Sequence, residues 1–117
     1  MSKMAYDFND GNGPVPSHKH PNGGGWVADT AAVAASAFIG PKAKVFGNAV
    51  VTGNAQVYGN AWVYGDALVS GDAWVYGNAE VFGNAEVYGD AWVYGNAWVY
   101  YNAQVYGNAL VYGNAMG

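Results

Sequence analysis

The chain reads as an all-β protein, a three-sided β-solenoid of about five coils, and three observations predict it. First, one six-residue phrase recurs almost unchanged over residues 45–115 (VYGNAW, VYGDAL, VYGNAE, VFGNAE, VYGNAL). An internal repeat decides a fold before any other signal does. Second, aliphatic residues fall at Val27, Val33, Ile39 and every sixth position onward to Val111, fifteen in all with no slip. Third, an alanine follows each of them after four residues, from Ala31 to Ala115. A helix repeats its faces about every 3.6 residues and cannot keep a period of six on one side. A coil of short strands can.

Strand geometry assigns the hexad. Alternate side chains of a strand face the same way, so Ala61 and Val63 point inward while Trp62 and Tyr64 point outward. Gly65 and Asp66 then turn the corner into the next side. All twelve corners from Asn48 to Asn114 carry Asn or Asp, preceded by Gly except at Tyr101-Asn102. Gly, and after it Asn and Asp, tolerate positive φ best. The exception leads to the expectation that Asn, rather than Gly, occupies the left-handed slot. Three sides close a turn of 18 residues, and the fifteen hexads make five such turns.

The pattern aliphatic-x-x-x-small-x resembles the hexapeptide repeat of left-handed parallel β-helix proteins. It covers residues 27–116, about three quarters of the chain. The resemblance implies a left-handed parallel β-helix. Its family holds trimeric acyltransferases, γ-class carbonic anhydrases and purely structural solenoids. The dense VYGNA form, preceded by HPNGGGWVADTA, is most similar in style to small hexapeptide-repeat structural proteins of bacteriophages and their hosts.

Taken in order, residues 1–25 (MSKMAYDFNDGNGPVPSHKHPNGGG) have no periodicity and hold three of the four prolines. They read as an irregular N-terminal arm, either a cap over the first coil or an attachment arm, with Tyr6, Phe8, Pro14, Pro16, His18, His20 and Pro21 as its gripping residues. His18 and His20 are the only histidines. Two apart in an extended segment, they would face the same way and form at most a partial metal-ligand pair, and no Cys stands near to complete it. Two polar residues in a docked arm is the preferred reading.

Residues 26–117 are assigned to the solenoid. Over residues 26–46 its start is degenerate, as terminal repeats commonly are, and Pro41 falls at a corner where no ladder hydrogen bond is required of it. Beyond it, residues 18 apart stack on one side. One outer face then carries Phe38, Gln56, Trp74, Trp92 and Leu110 beside Tyr58, Tyr76, Tyr94 and Tyr112. A second carries Trp26, Lys44, Trp62, Glu80 and Trp98 beside Phe46, Tyr64, Phe82 and Tyr100. The third, from Ala32 and Val50 to Gln104, is plainer. Aromatic ladders steady neighbouring coils, by about 0.5–1.5 kcal/mol for each stacked pair. A flat face with Trp and Tyr on both rows also exceeds the apolar patch a monomer normally exposes. The expected oligomer interface is therefore Phe38, Tyr58, Trp74, Tyr76, Trp92, Tyr94, Leu110 and Tyr112, closing a homotrimer about a parallel axis. Asp72 and Asp90 should stack at one corner, ~5 Å apart. They read as Asn substitutes at an exposed turn, a cation site being the alternative. At the other end Met116 is expected as a partial plug.

Charge narrows the partners. There is no arginine, the four lysines lie within the first 44 residues, and the net charge is −4. Nucleic acid is not expected as a partner, because phosphate binding needs clustered basic groups. No apolar run is long enough to span a membrane, and no secretion signal opens the chain. Cysteine is absent, so no disulfide is available.

Catalysis is not expected either. Enzymes of the resembled family use a His within the coils and basic residues beside it, whereas residues 27–117 hold no His, Arg or Cys and only two Lys. No enzyme activity and no cofactor are assigned. The expected function is that of a non-enzymatic structural protein, a trimeric decoration or tail-associated protein of a phage virion, anchored by its N-terminal arm to a capsid or tail. It would be made in the host cytoplasm, or otherwise be cytoplasmic. The alternative is a carbohydrate- or surface-binding module that stacks glycans on its outward Trp and Tyr ladders.

Overall fold

A computed structural model of the protein describes residues 4–8 and 11–114. Parts of the expected arm (residues 1–3, 9 and 10) and the proposed plug at Met116 lie outside the described residues. Among the described residues seventeen strands, numbered β1 to β17 in chain order, form three sheets, and there is no helix. The first sheet holds β1 (Met4–Asp7), β2 (Pro14–Lys19), β3 (Trp26–Ala28), β6 (Lys44–Val45), β9 (Trp62–Val63), β12 (Glu80–Val81) and β15 (Trp98–Val99). The second holds β4 (Ala32–Val33), β7 (Val50–Val51), β10 (Leu68–Val69), β13 (Glu86–Val87) and β16 (Gln104–Val105). The third holds β5 (Phe38–Ile39), β8 (Gln56–Val57), β11 (Trp74–Val75), β14 (Trp92–Val93) and β17 (Leu110–Val111).

From β3 onward every pairing is parallel and joins residues 18 apart, as in Leu68 with Glu86 or Trp74 with Trp92. The fold is a three-sided parallel β-solenoid of about five turns. Its interior is a single column of small side chains. Val45 to Val99 at every sixth residue, with the alanines between them, are fully buried. Fully burying a valine stabilises by roughly 1.5 kcal/mol or more, and the repeat collects that contribution on every side of every coil.

The backbone ladder does not stop at the corners. Asn60 N–H donates to the Gly77 carbonyl at 2.8 Å, between bonds from Tyr58 to Val75 and from Trp62 to Ala79. At the corners the structure corrects the sequence reading: the left-handed slot belongs to Gly, with φ between 62° and 71° from Gly47 to Gly113. Positive φ at the first central residue is the turn type that glycine favours. Glycine is required there a second time, because a Cβ on Gly65 would lie 2.9 Å from the Gly83 nitrogen one coil on. Tyr101 is the only non-glycine residue with positive φ among the described residues, at 54°. An L-residue in that conformation costs about 1–2 kcal/mol. No described residue stacks on its corner from the next coil, so among the described residues its side chain meets only the first of the two constraints.

The first coil turns differently. Its corners are Asp29-Thr30, Ala35-Ser36 and Pro41-Lys42, none with positive φ. Here the hydroxyls of Thr30 and Ser36 donate to the Gly47 and Gly53 carbonyls. They do the work that the backbone N–H of Asn does in later coils.

The N-terminal segment, expected as irregular, contains a hairpin. β1 and β2 pair antiparallel with Tyr6 opposite Val15, and β2 pairs antiparallel with β3, His18 opposite Val27. The physical reason is the free lower edge of β3, which every later strand of this sheet offers to the coil before it. Pro14 and Pro16, which lack a backbone N–H, both lie in β2. Being two apart, they remove donors from only one side of β2. Beyond the hairpin, residues 20–25 cover the edge of β5: Gly25 N–H donates to the Ile39 carbonyl, and Ile39 N–H to the Asn22 carbonyl.

Candidate functional site

The third sheet presents the residues expected at the interface on one outer face. The pleat puts Trp74 and Trp92 outward while Val75 and Val93 fill the core. Their indoles stack at 4.8 Å with planes 1° apart. Beside them runs a phenol column: Tyr58 on Tyr76 at 4.9 Å, Tyr76 on Tyr94 at 5.0 Å, and Tyr94 on Tyr112 at 5.4 Å. The two columns interlock edge to face, Tyr76 against Trp92 at 6.3 Å and 71°. Phe38 is half-buried at the lower end, and Trp92, Leu110 and Tyr112 are exposed toward the upper end. Burial, and then the neighbouring phenol, raise the pKa values of Tyr58 and Tyr76 above the ordinary tyrosine value. The face can stack flat groups. It carries no formally charged side chain.

The first sheet carries the second aromatic face, and the hairpin occupies its lower half. Phe8, 1% exposed, stacks on Phe46 at 4.7 Å, and Phe46 stacks on Tyr64 at 4.8 Å. The column continues to Phe82 at 5.0 Å and Tyr100 at 5.4 Å. Tyr6 stacks on Trp26 at 4.7 Å. The Lys44 ammonium lies 5.3 Å from the ring centres of both Tyr6 and Trp62, a cation–π pair of contacts. The Tyr64 hydroxyl donates to Glu80 Oε1 at 2.7 Å.

The other expected site residues separate. Of the arm, Tyr6 and Phe8 grip the chain's own solenoid, while Pro14, Pro16, His18 and Pro21 stay exposed. The two histidines do not converge. His18 Nδ1 pairs with Asp29 at 2.7 Å. His20 lies past the end of β2, 4% exposed, with Nε2 against the Ala37 carbonyl at 2.8 Å. Asp72 and Asp90 share one corner column with Ser36, Asn54 and Asn108. Among the described residues no three His, Cys, Asp or Glu side chains come together as a metal site, and no helix is long and apolar enough to cross a membrane.

Two features escaped the sequence reading. Lys44 was given only a place on the second outer face, yet it bridges the hairpin to the solenoid. Tyr101 was read as a clue to the corner, and its ring is a surface feature of its own. The Gly-to-Tyr exchange within a fixed repeat was the available signal.

The repeat pattern of the YdcK β-solenoid family matches residues 43–59, 55–71, 61–77, 85–101 and 103–116, together more than half of the chain. The chain belongs to the YdcK β-solenoid repeat family. Every match begins in the same hexad register, two residues before an inward valine. The family pattern therefore follows the corners and columns seen in the structure. No curated protein and no solved structure matches the chain.

Proposed function

We propose that this YdcK-type solenoid is a non-enzymatic structural protein, a rigid rod that joins copies of itself through the outer face of the third sheet. The observation that carries this reading is the contrast between the two aromatic faces. The hairpin covers the lower half of the first, whereas no described segment crosses the interlocked Trp and Tyr columns of the third. Aromatic residues are enriched at the centres of protein interfaces, and charged ones are depleted there. A second copy offers a matching flat face. A three-sided prism with one such face closes most simply as a homotrimer about an axis parallel to the rod.

The hairpin leaves β1 as the terminal strand of its sheet. An edge of that kind can add to a sheet of another protein, so anchoring to a larger assembly is proposed there. The VYGNA phrasing supports the more specific proposal of a phage capsid decoration or tail-associated protein.

The test is the absolute mass of the full chain by light scattering, alone and as Trp92→Glu. A discrete trimer that Trp92→Glu converts to folded monomers is the expected result. A parent chain that stays monomeric across concentration removes the interface.

A further inference from the structure

The aromatic column of the first sheet has two different ends. At the lower one the coil supplies only Ala28, and Phe8 brings a flat ring from outside the coil to stack on Phe46 at 4.7 Å. At the upper one Tyr100 is the last described ring of the column. Tyr101 leans over it with ring centres 5.0 Å apart and planes at 49°, too steep to stack. A cleft of about 390 Å³ opens there, lined by Phe82, Gly83, Trp98, Tyr100 and Tyr101. Trp98, 44% exposed, stands edge-on to Phe82 at 76°, and Tyr101 is 77% exposed.

Two observations mark this cleft as a site. Its size lies within the range of small-ligand pockets, which combine apolar walls with a few polar groups. Its rim residue is also the one non-glycine with positive φ among the described residues. The repeat imposes that conformation at every such corner, and here it holds a tyrosine ring at the rim of the cleft where the other corners have glycine.

The lining selects the ligand. No Lys, Arg, His, Asp or Glu lines the cleft, so a phosphate or carboxylate would find no charged partner. Four aromatic rings provide flat apolar surface, and the phenols of Tyr100 and Tyr101 add hydroxyls that can donate or accept. We infer that the cleft binds a neutral sugar ring of an oligosaccharide, stacked by its apolar face between Trp98 and Tyr101, with the two phenols meeting its hydroxyls. The site does not depend on the third sheet, so a monomeric mass would leave it standing.

The test follows the indole N–H resonance of Trp98 in the full chain, assigned by its loss in Trp98→Phe. Maltohexaose, cellohexaose and chitohexaose are titrated separately. The expected result is a saturable shift of that resonance with at least one of them. Tyr101→Gly restores the Gly-Asn corner and removes the positive-φ strain, so it folds at least as well as the parent. It is expected to weaken binding about tenfold, as loss of one stacked ring would. No shift with any of the three sugars overturns the inference, and so does unchanged affinity in Tyr101→Gly.

Discussion

Phe8 lies 4.7 Å from Phe46 with its ring 16° from parallel, and so fills the rung that Ala28 leaves empty in the column running up to Tyr100. The hairpin is thus held by the same stacking that links successive coils, and it continues the solenoid outward by one ring.

Phe8→Ala should therefore release the hairpin while leaving the coils folded. Losing a buried phenylalanine costs about 3–5 kcal/mol where the surroundings cannot collapse, which caps the effect here. Amide hydrogen exchange should rise over residues 4–19 and stay slow at Val63, Val69 and Val75. Equal acceleration throughout would mean that the hairpin nucleates the solenoid rather than docking on it.

Gly65→Ala and Gly107→Ala should differ although their φ values, 69° and 62°, are close. Both place a side chain in the left-handed region, at about 1–2 kcal/mol. Only at Gly65 does the new Cβ also meet the next coil, 2.9 Å from the Gly83 nitrogen, whereas nothing lies within 4 Å at Gly107. Urea unfolding should show the larger loss for Gly65→Ala, and equal losses would show that stacking at the corner is not a constraint.

Alkaline pH should weaken the fold. Burial, the hydrogen bond to Glu80 and the charge of Glu80 together hold the Tyr64 phenol well above the ordinary tyrosine value of 10.0. Tyr58 and Tyr76 are raised too, mainly by burial. In the unfolded chain these phenols ionise near pH 10, while in the folded chain they remain protonated. Their stabilisation is complete below about pH 10 and is lost as pH climbs from there toward the folded-state values. Unfolding midpoints at pH 9 and 11 should fall less in Tyr64→Phe than in the parent.

Thr30→Val keeps the shape of the first corner and removes the hydroxyl that donates to the Gly47 carbonyl. Without the Asn-type turn there, the loss should be about 1 kcal/mol. Thr52→Val, on a plain outer row, serves as the control. A change no larger than the control's would mean that water replaces the Thr30 bond.

The solenoid was legible because its signal is a period, and a period survives any single exception. A spacing of 18 residues is enough to stack Trp74 with Trp92 and Tyr58 with Tyr76. The hairpin was not legible. Its partners, Tyr6 with Val15 and His18 with Val27, meet through one free edge, and the prolines of β2 hide its alternation. The corner was misread because Tyr101 was taken as evidence about the slot beside it. The structure puts Tyr101 itself in the positive-φ slot, at 54°, and a hexad pattern alone does not say which of the two corner residues takes it. Lys44 was invisible for a similar reason: its ring partner Tyr6 comes from a segment outside the repeat.

The constant pairing distance also bears on how the molecule is made. Leu68 waits for Glu86, as Val50 waited for Leu68, so no coil closes a longer loop than the one before it. In a fold built from neighbour contacts, order can spread from one end, and short sequence separations favour speed. The hairpin and the loop over β5 give the first coil a surface to settle on as the chain emerges. Each later coil then finds its template already in place, and lengthening the rod would add time in proportion to its coils without raising the barrier to any one of them.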